Sequence, residues 1–226
     1  MDRAAFGHAT RDARWTRVPT AAPHLSRLNG VARFDPRTAL VAVDVQNDFA
    51  DPDGSLAVGG AEAALPAINR AIEEAANAGG LVVATQDWHP PSTPHFAKDG
   101  GVWPVHCVME TWGADIHPDL VLPPGAPIIR KGSNGEDGYS GFTMRDPVSG
   151  TEQTTGLDDL FRHRGIARVV VCGLATDYCV KATAIDAARL GYEVEVVSDG
   201  IAAVDLEPGD GERALAAMAD AGVRIG

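Results

Sequence analysis

The chain has little cysteine, with three in 226 residues. Cys107, Cys172 and Cys179 are too few, and odd in number, for a disulfide framework. They fit a reducing compartment, with room for one reactive thiol among structural ones. Positive charge is also scarce: 19 Lys and Arg against 31 Asp and Glu give a formal net charge of −12. Nucleic-acid affinity comes largely from Lys and Arg neutralising phosphates, so the deficit argues against a nucleic-acid partner and favours small molecules. No stretch approaches the roughly 20 apolar residues that cross a bilayer. The opening MDRAAFGHATRDARW carries charges where a signal peptide would have its apolar run. No membrane partner is expected, and the expected location is cytoplasmic. Internal repeats and low-complexity tracts are missing too.

The 45 % apolar content is enough for one sizeable core. Residues 1–37, rich in Ala, Arg, Pro and Thr without periodicity, read as an N-terminal extension, an arm or partly disordered, ahead of a single domain over residues 38–226. From Thr38, short apolar runs alternate with helical stretches. TALVAVDV, then GAEAALPAINRAIEEAANAG with Leu65, Ile68, Ile72, Ala75 and Ala76 at helical spacing, then LVVATQDW, make a βαβ unit. A Pro- and Gly-rich segment follows from about Pro90 to Pro127. Strand-like APIIRKG, ARVVVCGL and YEVEVVSDG are separated by helical LDDLFRHR and TDYCVKATAIDAARLG, and a last helix, GERALAAMADAG, leads into VRIG, a candidate edge strand. Continuous Val, Ile and Leu runs imply strands buried on both faces, so the expected fold is α/β, a parallel sheet covered by helices.

In such a sheet, functional groups collect at the carboxyl ends of the strands. Asp44 follows ALVAV, Asp87 and His89 follow LVVAT, Lys131 follows IIR, and the Ala175 to Cys179 turn follows VVVCGL. Any one of these has an ordinary structural explanation; four strands ending in titratable or reactive groups is a pattern. Cys179 is placed in the first turn of a helix whose N-cap is expected at Thr176, where the helix dipole lowers a thiol pKa and free N–H groups can hold an oxyanion. Free cysteines are commonly small buried hydrophobes, which suits Cys172 and leaves Cys107 undecided. Lys131, expected one or two strands away, could stabilise a thiolate, and Asp44 could move the proton. A second constellation is QDWHPPSTPHF with Asp87, His89 and His95, followed by His106 in WPVHC. Carboxylate plus imidazole suits zinc, iron or manganese. His8, His24, His117 and His163 read as surface residues.

The segments VDVQNDF, TQDWHP with a later HF, WPVHC, KG…YSGF and GLATDYCV resemble, in this order, the nicotinamidase/pyrazinamidase branch of the isochorismatase-like cysteine hydrolases. The resemblance covers roughly Ala39 to Gly226. It implies a three-layer α/β/α fold with a six-stranded, mainly parallel sheet, and a catalytic triad of Asp44, Lys131 and Cys179. It further implies one divalent metal ion (zinc, iron or manganese) on Asp87, His89, His95 and His106, a cis peptide before Ala175, and an oxyanion hole from the N–H groups of Ala175 and Cys179. Phe49, Trp103 and Tyr139 would line the substrate pocket. The implied reaction is metal-dependent hydrolysis of nicotinamide, and of pyrazinamide, to the acid and ammonia through a thioester, in NAD salvage. Another cysteine amidase acting on a carbamoyl or small amide substrate is the alternative. Family members often assemble as homo-oligomers, with no stoichiometry legible here. Two features depart from the family pattern: an extra residue in KGSNGEDGYSGF between Lys131 and Tyr139, and the N-terminal extension.

Overall fold

The computed structural model describes residues 33–226, together with the backbone of Arg27–Leu28 and Val31–Ala32, which pair antiparallel. Of the extension expected over residues 1–37, positions 1–26, 29 and 30 lie outside the described residues.

Six strands form the main sheet: β1 (Thr38–Val43), β2 (Leu81–Asp87), β3 (Ile128–Lys131), β4 (Arg168–Leu174), β5 (Glu193–Ala202) and β6 (Arg224–Ile225). Their order is β6-β5-β4-β1-β2-β3, and every neighbouring pair is parallel. Four helices cover it: α1 (Ala61–Asn77), α2 (Leu157–Arg164), α3 (Lys181–Arg189) and α4 (Asp210–Asp220). The apolar runs dictate this arrangement. All six residues of β1 are buried, and because side chains alternate across a strand, they serve two cores. Leu40 and Ala42 pack with Ile68 and Ile72 of α1 on one face. Ala39, Val41 and Val43 pack with Phe161, Ala184 and Met218, from α2, α3 and α4, on the other. The result is the three-layer α/β/α fold. Ala76, expected on the buried stripe of α1, is exposed, one position past the last buried residue, Ala75.

The chain builds outward from β1 to β2 and β3, then returns to place β4 on the other flank of β1 before continuing to β5 and β6. The carboxyl ends of β1 and β4 therefore flank the topological switch point, where open α/β sheets form crevices. Gly173 makes that junction possible. Its φ is +112, and a Cβ there would come within 2.2 Å of the Val43 carbonyl oxygen, so only glycine lets β4 approach β1 at the last residues before the turn. Arg33 and Phe34 close the sheet from below: Phe34 is buried with the α1 core, and Arg33 Nε donates to Glu195 Oε1 at 2.6 Å, while Arg224 Nη2 holds the other oxygen at 2.7 Å. Among the described residues, no helix is long and apolar enough to cross a membrane.

Candidate active site

Four strand ends converge at the switch point. Lys131, the last residue of β3, is completely buried; its Nζ lies 2.7 Å from Asp44 Oδ2 and 3.7 Å from Cys179 Sγ, and it donates to Asp87 Oδ1. Its strand is three places from β4, rather than the one or two expected. Neighbouring strands are about 4.8 Å apart, so the four-carbon stem of Lys131 runs over the end of β2 to meet side chains arriving from β1 and β4.

Burial would push the Lys131 ammonium down, but the Asp44 and Asp87 carboxylates hold it well above its ordinary value. Burial raises the Asp44 carboxyl above the usual carboxylate range despite the lysine. Burial also pushes the Asp87 carboxyl up, yet Lys131 and the neighbouring histidines hold it well below that range. The Cys179 thiol goes the other way from the sequence expectation. Burial lifts it well above its ordinary value; Lys131 draws it down, and the Asp44 and Asp87 carboxylates add to the rise. Desolvation therefore outweighs the position at a helix start, and the thiol rests protonated beside a carboxylate of raised basicity, a pair suited to proton transfer.

The turn that carries Cys179 differs in detail from the expectation. The N-cap is Ala175 rather than Thr176, so the helical segment starts at Thr176, and Thr176–Val180 forms a wide π-type turn leading into α3. The Ala175 carbonyl accepts from both Tyr178 N and Val180 N, each at 3.1 Å, so the backbone supplies what a Thr176 side-chain cap would have supplied. Such wide turns recur at functional positions. The peptide bond between Leu174 and Ala175 is cis.

Beside this group stand His89, His95 and His106, all buried, each offering a ring nitrogen within 4.8 Å of the others. Asp87 joins the two groups: while Oδ1 faces Lys131, Oδ2 lies 3.7 Å from His89 Nε2 and 3.9 Å from His106 Nε2. His95 Nδ1 is paired with Asp137 Oδ1 at 2.6 Å, and His106 Nδ1 with the Pro104 carbonyl at 2.8 Å. That pattern fixes the outer nitrogen of a metal ligand and leaves Nε2 to bind. Neither ring nitrogen of His89 has a hydrogen-bond partner, although the residue is 1 % exposed. An unsatisfied buried polar group costs about 1–3 kcal/mol, and a divalent cation among the imidazoles removes that cost. Burial lowers the pKa of His95, and that of His106 to about 4, so both rings are neutral and ready to ligate near pH 7. The nitrogen and oxygen donors present fit a divalent ion of the zinc, iron or manganese type.

The histidines and Cys179 open onto one pocket, whose walls include Phe49, Trp103, Tyr139, Ala175 and Tyr178. Trp103 Nε1 donates to Tyr139 Oη at 2.8 Å, and its ring meets Tyr178 edge-on at 4.8 Å. Every site residue expected from the sequence is thus brought to this pocket or to the ion cluster beneath it. His163 is exposed as expected, and His8 and His24 lie outside the described residues. His117 corrects the expectation of a surface residue: it is 8 % exposed, because its Nδ1 accepts from Asp119 N and its Nε2 sits 3.9 Å from Asp51 Oδ2, tying down a loop away from the pocket.

Sequence reasoning missed several residues. Tyr178 lines the pocket directly before Cys179. Asp48, within VDVQNDF, accepts the Cys107 N–H at 2.6 Å and so braces the loop beside His106. Thr85 shares the face of β2 with Asp87, a period-two signal that was available. Asp137 gave no signal, since its partner is 42 positions away.

The isochorismatase domain model matches residues 38–226. A nicotinamidase of Escherichia coli strain K12 is 39 % identical over 206 residues, spanning 84 % of this chain and 94 % of that protein. Among solved structures, the pyrazinamidase of Pyrococcus horikoshii in complex with zinc has a TM-score of 0.75 and 40 % identity, covering 84 % of this chain and 99 % of its own. PnC1 from L. infantum in complex with nicotinate has a TM-score of 0.74 and 38 % identity, covering 84 % and 92 %. The chain therefore belongs to the isochorismatase-domain family, among its nicotinamidase relatives.

Proposed function

We propose that this protein is a metal-dependent cysteine amidohydrolase that converts nicotinamide to nicotinate and ammonia, and accepts pyrazinamide. The observation that carries the reading is the meeting, in one pocket, of a protonated thiol held by Lys131 and Asp44 with a cluster of three buried histidines. Phe49, Trp103 and Tyr139 give the pocket flat apolar walls suited to an aromatic ring. Asp87, His89, His95 and His106 would hold a divalent ion (zinc, iron or manganese) that supplies a Lewis-acidic anchor for the ring nitrogen.

Asp44 takes the Cys179 proton, and Lys131 stabilises the resulting thiolate. The sulfur adds to the amide carbon, and the N–H groups of Ala175 and Cys179 hold the oxyanion. Asp44 returns its proton to the amide nitrogen, the C–N bond breaks, and ammonia leaves a thioester on Cys179. Asp44 then takes a proton from water, whose oxygen attacks the thioester carbon; the C–S bond breaks, Asp44 hands that proton to the departing Cys179 sulfur, and nicotinate is released, its acid proton passing to ammonia. The sum is one water consumed per amide cleaved, and Asp44, Lys131 and Cys179 end as they began. This reaction belongs to NAD salvage, in the cytoplasm.

Ammonia release from nicotinamide by the purified protein, beside Cys179→Ala and a chelator-treated sample, tests the reading. Turnover by wild type alone is the expected result. A metal-loaded wild type that leaves nicotinamide intact but cleaves a carbamoyl or other small amide would overturn the substrate, and activity surviving in Cys179→Ala would overturn the mechanism.

A further inference from the structure

Thr85 is completely buried on β2, two residues before Asp87, and spends its whole hydroxyl on one neighbour. Its Oγ accepts the Asp44 N–H at 3.1 Å and donates to Asp44 Oδ1 at 2.6 Å. A hydroxyl has a single proton to give, and Thr85 gives it to Oδ1, which fixes the carboxylate against rotation. Asp44 also sits at φ +48, in the left-handed region that non-glycine residues enter sparingly. The bond from its N–H to Thr85 holds the backbone there, and the bond to Oδ1 holds the side chain. The remaining oxygen, Oδ2, faces the Lys131 ammonium, with Nζ at 2.7 Å. An Asp44 oxygen and Cys179 Sγ lie within 4.8 Å of each other.

From this geometry we infer that Thr85 is a positioning residue for the acyl transfer: by holding both the N–H and Oδ1 of Asp44 it fixes the carboxylate, and Oδ2 is the atom that takes and returns the Cys179 proton. The S–H bond breaks, an O–H bond forms at Oδ2, and the thiolate charge is left facing Lys131. Without the hydroxyl the carboxylate is free to rotate about its χ2, and the proton-accepting lone pair is no longer held toward sulfur. The inference rests on the amidohydrolase reading for its turnover arm alone; the reactivity of the thiol reports on it separately.

Thr85→Val keeps the shape and the methyl group that lies against Gly141 and removes the hydroxyl, while Thr85→Ser keeps the hydroxyl and removes the methyl. Full-length protein with its metal content and melting temperature recorded is assayed for kcat and KM with nicotinamide, and for the rate of Cys179 alkylation by iodoacetamide. For Thr85→Val the expectation is a kcat lower by about ten- to hundred-fold, in the range of a mispositioned general base. Its KM stays within about twofold of wild type, its metal content is unchanged, and alkylation slows in parallel. Thr85→Ser should return both rates to near wild type. The inference is overturned if Thr85→Val matches wild type in both rates, if Thr85→Ser is as impaired as Thr85→Val, or if the loss follows a fall in metal content, which would mean that Thr85 acts through Asp87. A wild type without nicotinamide turnover would defeat the substrate reading alone, since the alkylation rates would still decide the role of Thr85.

Discussion

Asp137 Oδ1 lies 2.6 Å from His95 Nδ1, so a carboxylate from the loop after β3 sets the orientation of an imidazole from the loop after β2. Partners of this kind typically change metal affinity by about 10–100-fold when removed. Asp137→Ala should therefore weaken divalent-metal binding by that factor in competition against a chelating dye, while Cys179 alkylation in the metal-loaded protein stays close to wild type. Unchanged metal affinity would make the pair incidental.

In the proposed reaction, a divalent ion on the histidine cluster would anchor the ring nitrogen of the substrate. Benzamide, which has the shape of nicotinamide without that atom, should be hydrolysed with a kcat/KM at least about a hundred-fold lower, a loss of positioning of a few kcal/mol. Pyrazinamide should stay within about tenfold of nicotinamide. Comparable turnover of benzamide would show that the metal does not orient the substrate.

Removing Lys131 leaves Asp44 and Asp87 as two buried carboxylates with no cation between them. Breaking a buried ion pair in this way costs about 3–5 kcal/mol. Lys131→Met, which keeps the stem, should lower the melting temperature by roughly 10 °C in a domain of this size and abolish turnover. Retained activity with a lowered melting temperature would assign the lysine to folding alone.

Acid should destabilise the metal-free protein through its histidines. Burial depresses the His106 pKa to about 4 in the folded state from an ordinary value of 6.5, so between those values the unfolded chain binds the extra proton and the folded chain does not. Stability is intact above pH 6.5, falls as the pH drops from there toward 4, and loses no more from this group below 4. The contribution is roughly 3 kcal/mol over that window. Urea unfolding of chelator-treated protein at several pH values measures it; a denaturation midpoint that is flat from pH 7 to 4.5 would contradict the burial argument.

Thiol chemistry should single out one cysteine. Cys172 is buried in β4 and burial pushes its thiol up to about 12; Cys107 is likewise raised well above its ordinary value by burial. Cys179 is raised as well, but it alone of the three lines the pocket and faces both Lys131 and a carboxylate base. Native protein treated with iodoacetamide near neutral pH should carry its label on Cys179, as read by peptide mass spectrometry. Equal labelling of Cys107 would show that the loop beside His106 opens.

The strands were legible because ALVAV, LVVAT and VVVCGL are continuous apolar runs, and such runs survive only where both faces are covered. The polar hairpin of Thr143–Arg145 with Glu152–Thr154 was not, since its exposed side chains follow no burial pattern. In the site, Asp44, Lys131 and Cys179 stood out as a base, a cation and a thiol at strand ends, and the family resemblance joined them as a triad. What the sequence could not give was distance across the sheet: that Lys131 bridges three strand ends, or that Thr85 and Asp137 each reach a partner some forty positions away. The cap of the Cys179 turn falls one residue earlier than expected, at Ala175, for a related reason. Thr176 has the chemistry of a cap, but the Ala175 carbonyl already satisfies the turn.

β3 is the outermost strand on its side of the sheet, only four residues long, and Ile128 and Arg130 are exposed along it. Beyond its pairing with β2, its bracing includes Arg130, which stacks 3.8 Å over Trp88 and bonds Gln86 at 3.0 Å. Yet its last residue carries the ammonium on which the thiol and two carboxylates depend. An edge strand is paired on one side alone, so this protein carries its charge at a border of the sheet where local opening needs fewer bonds broken. In mild denaturant it should fall silent while still folded, and recover at once when the border closes again.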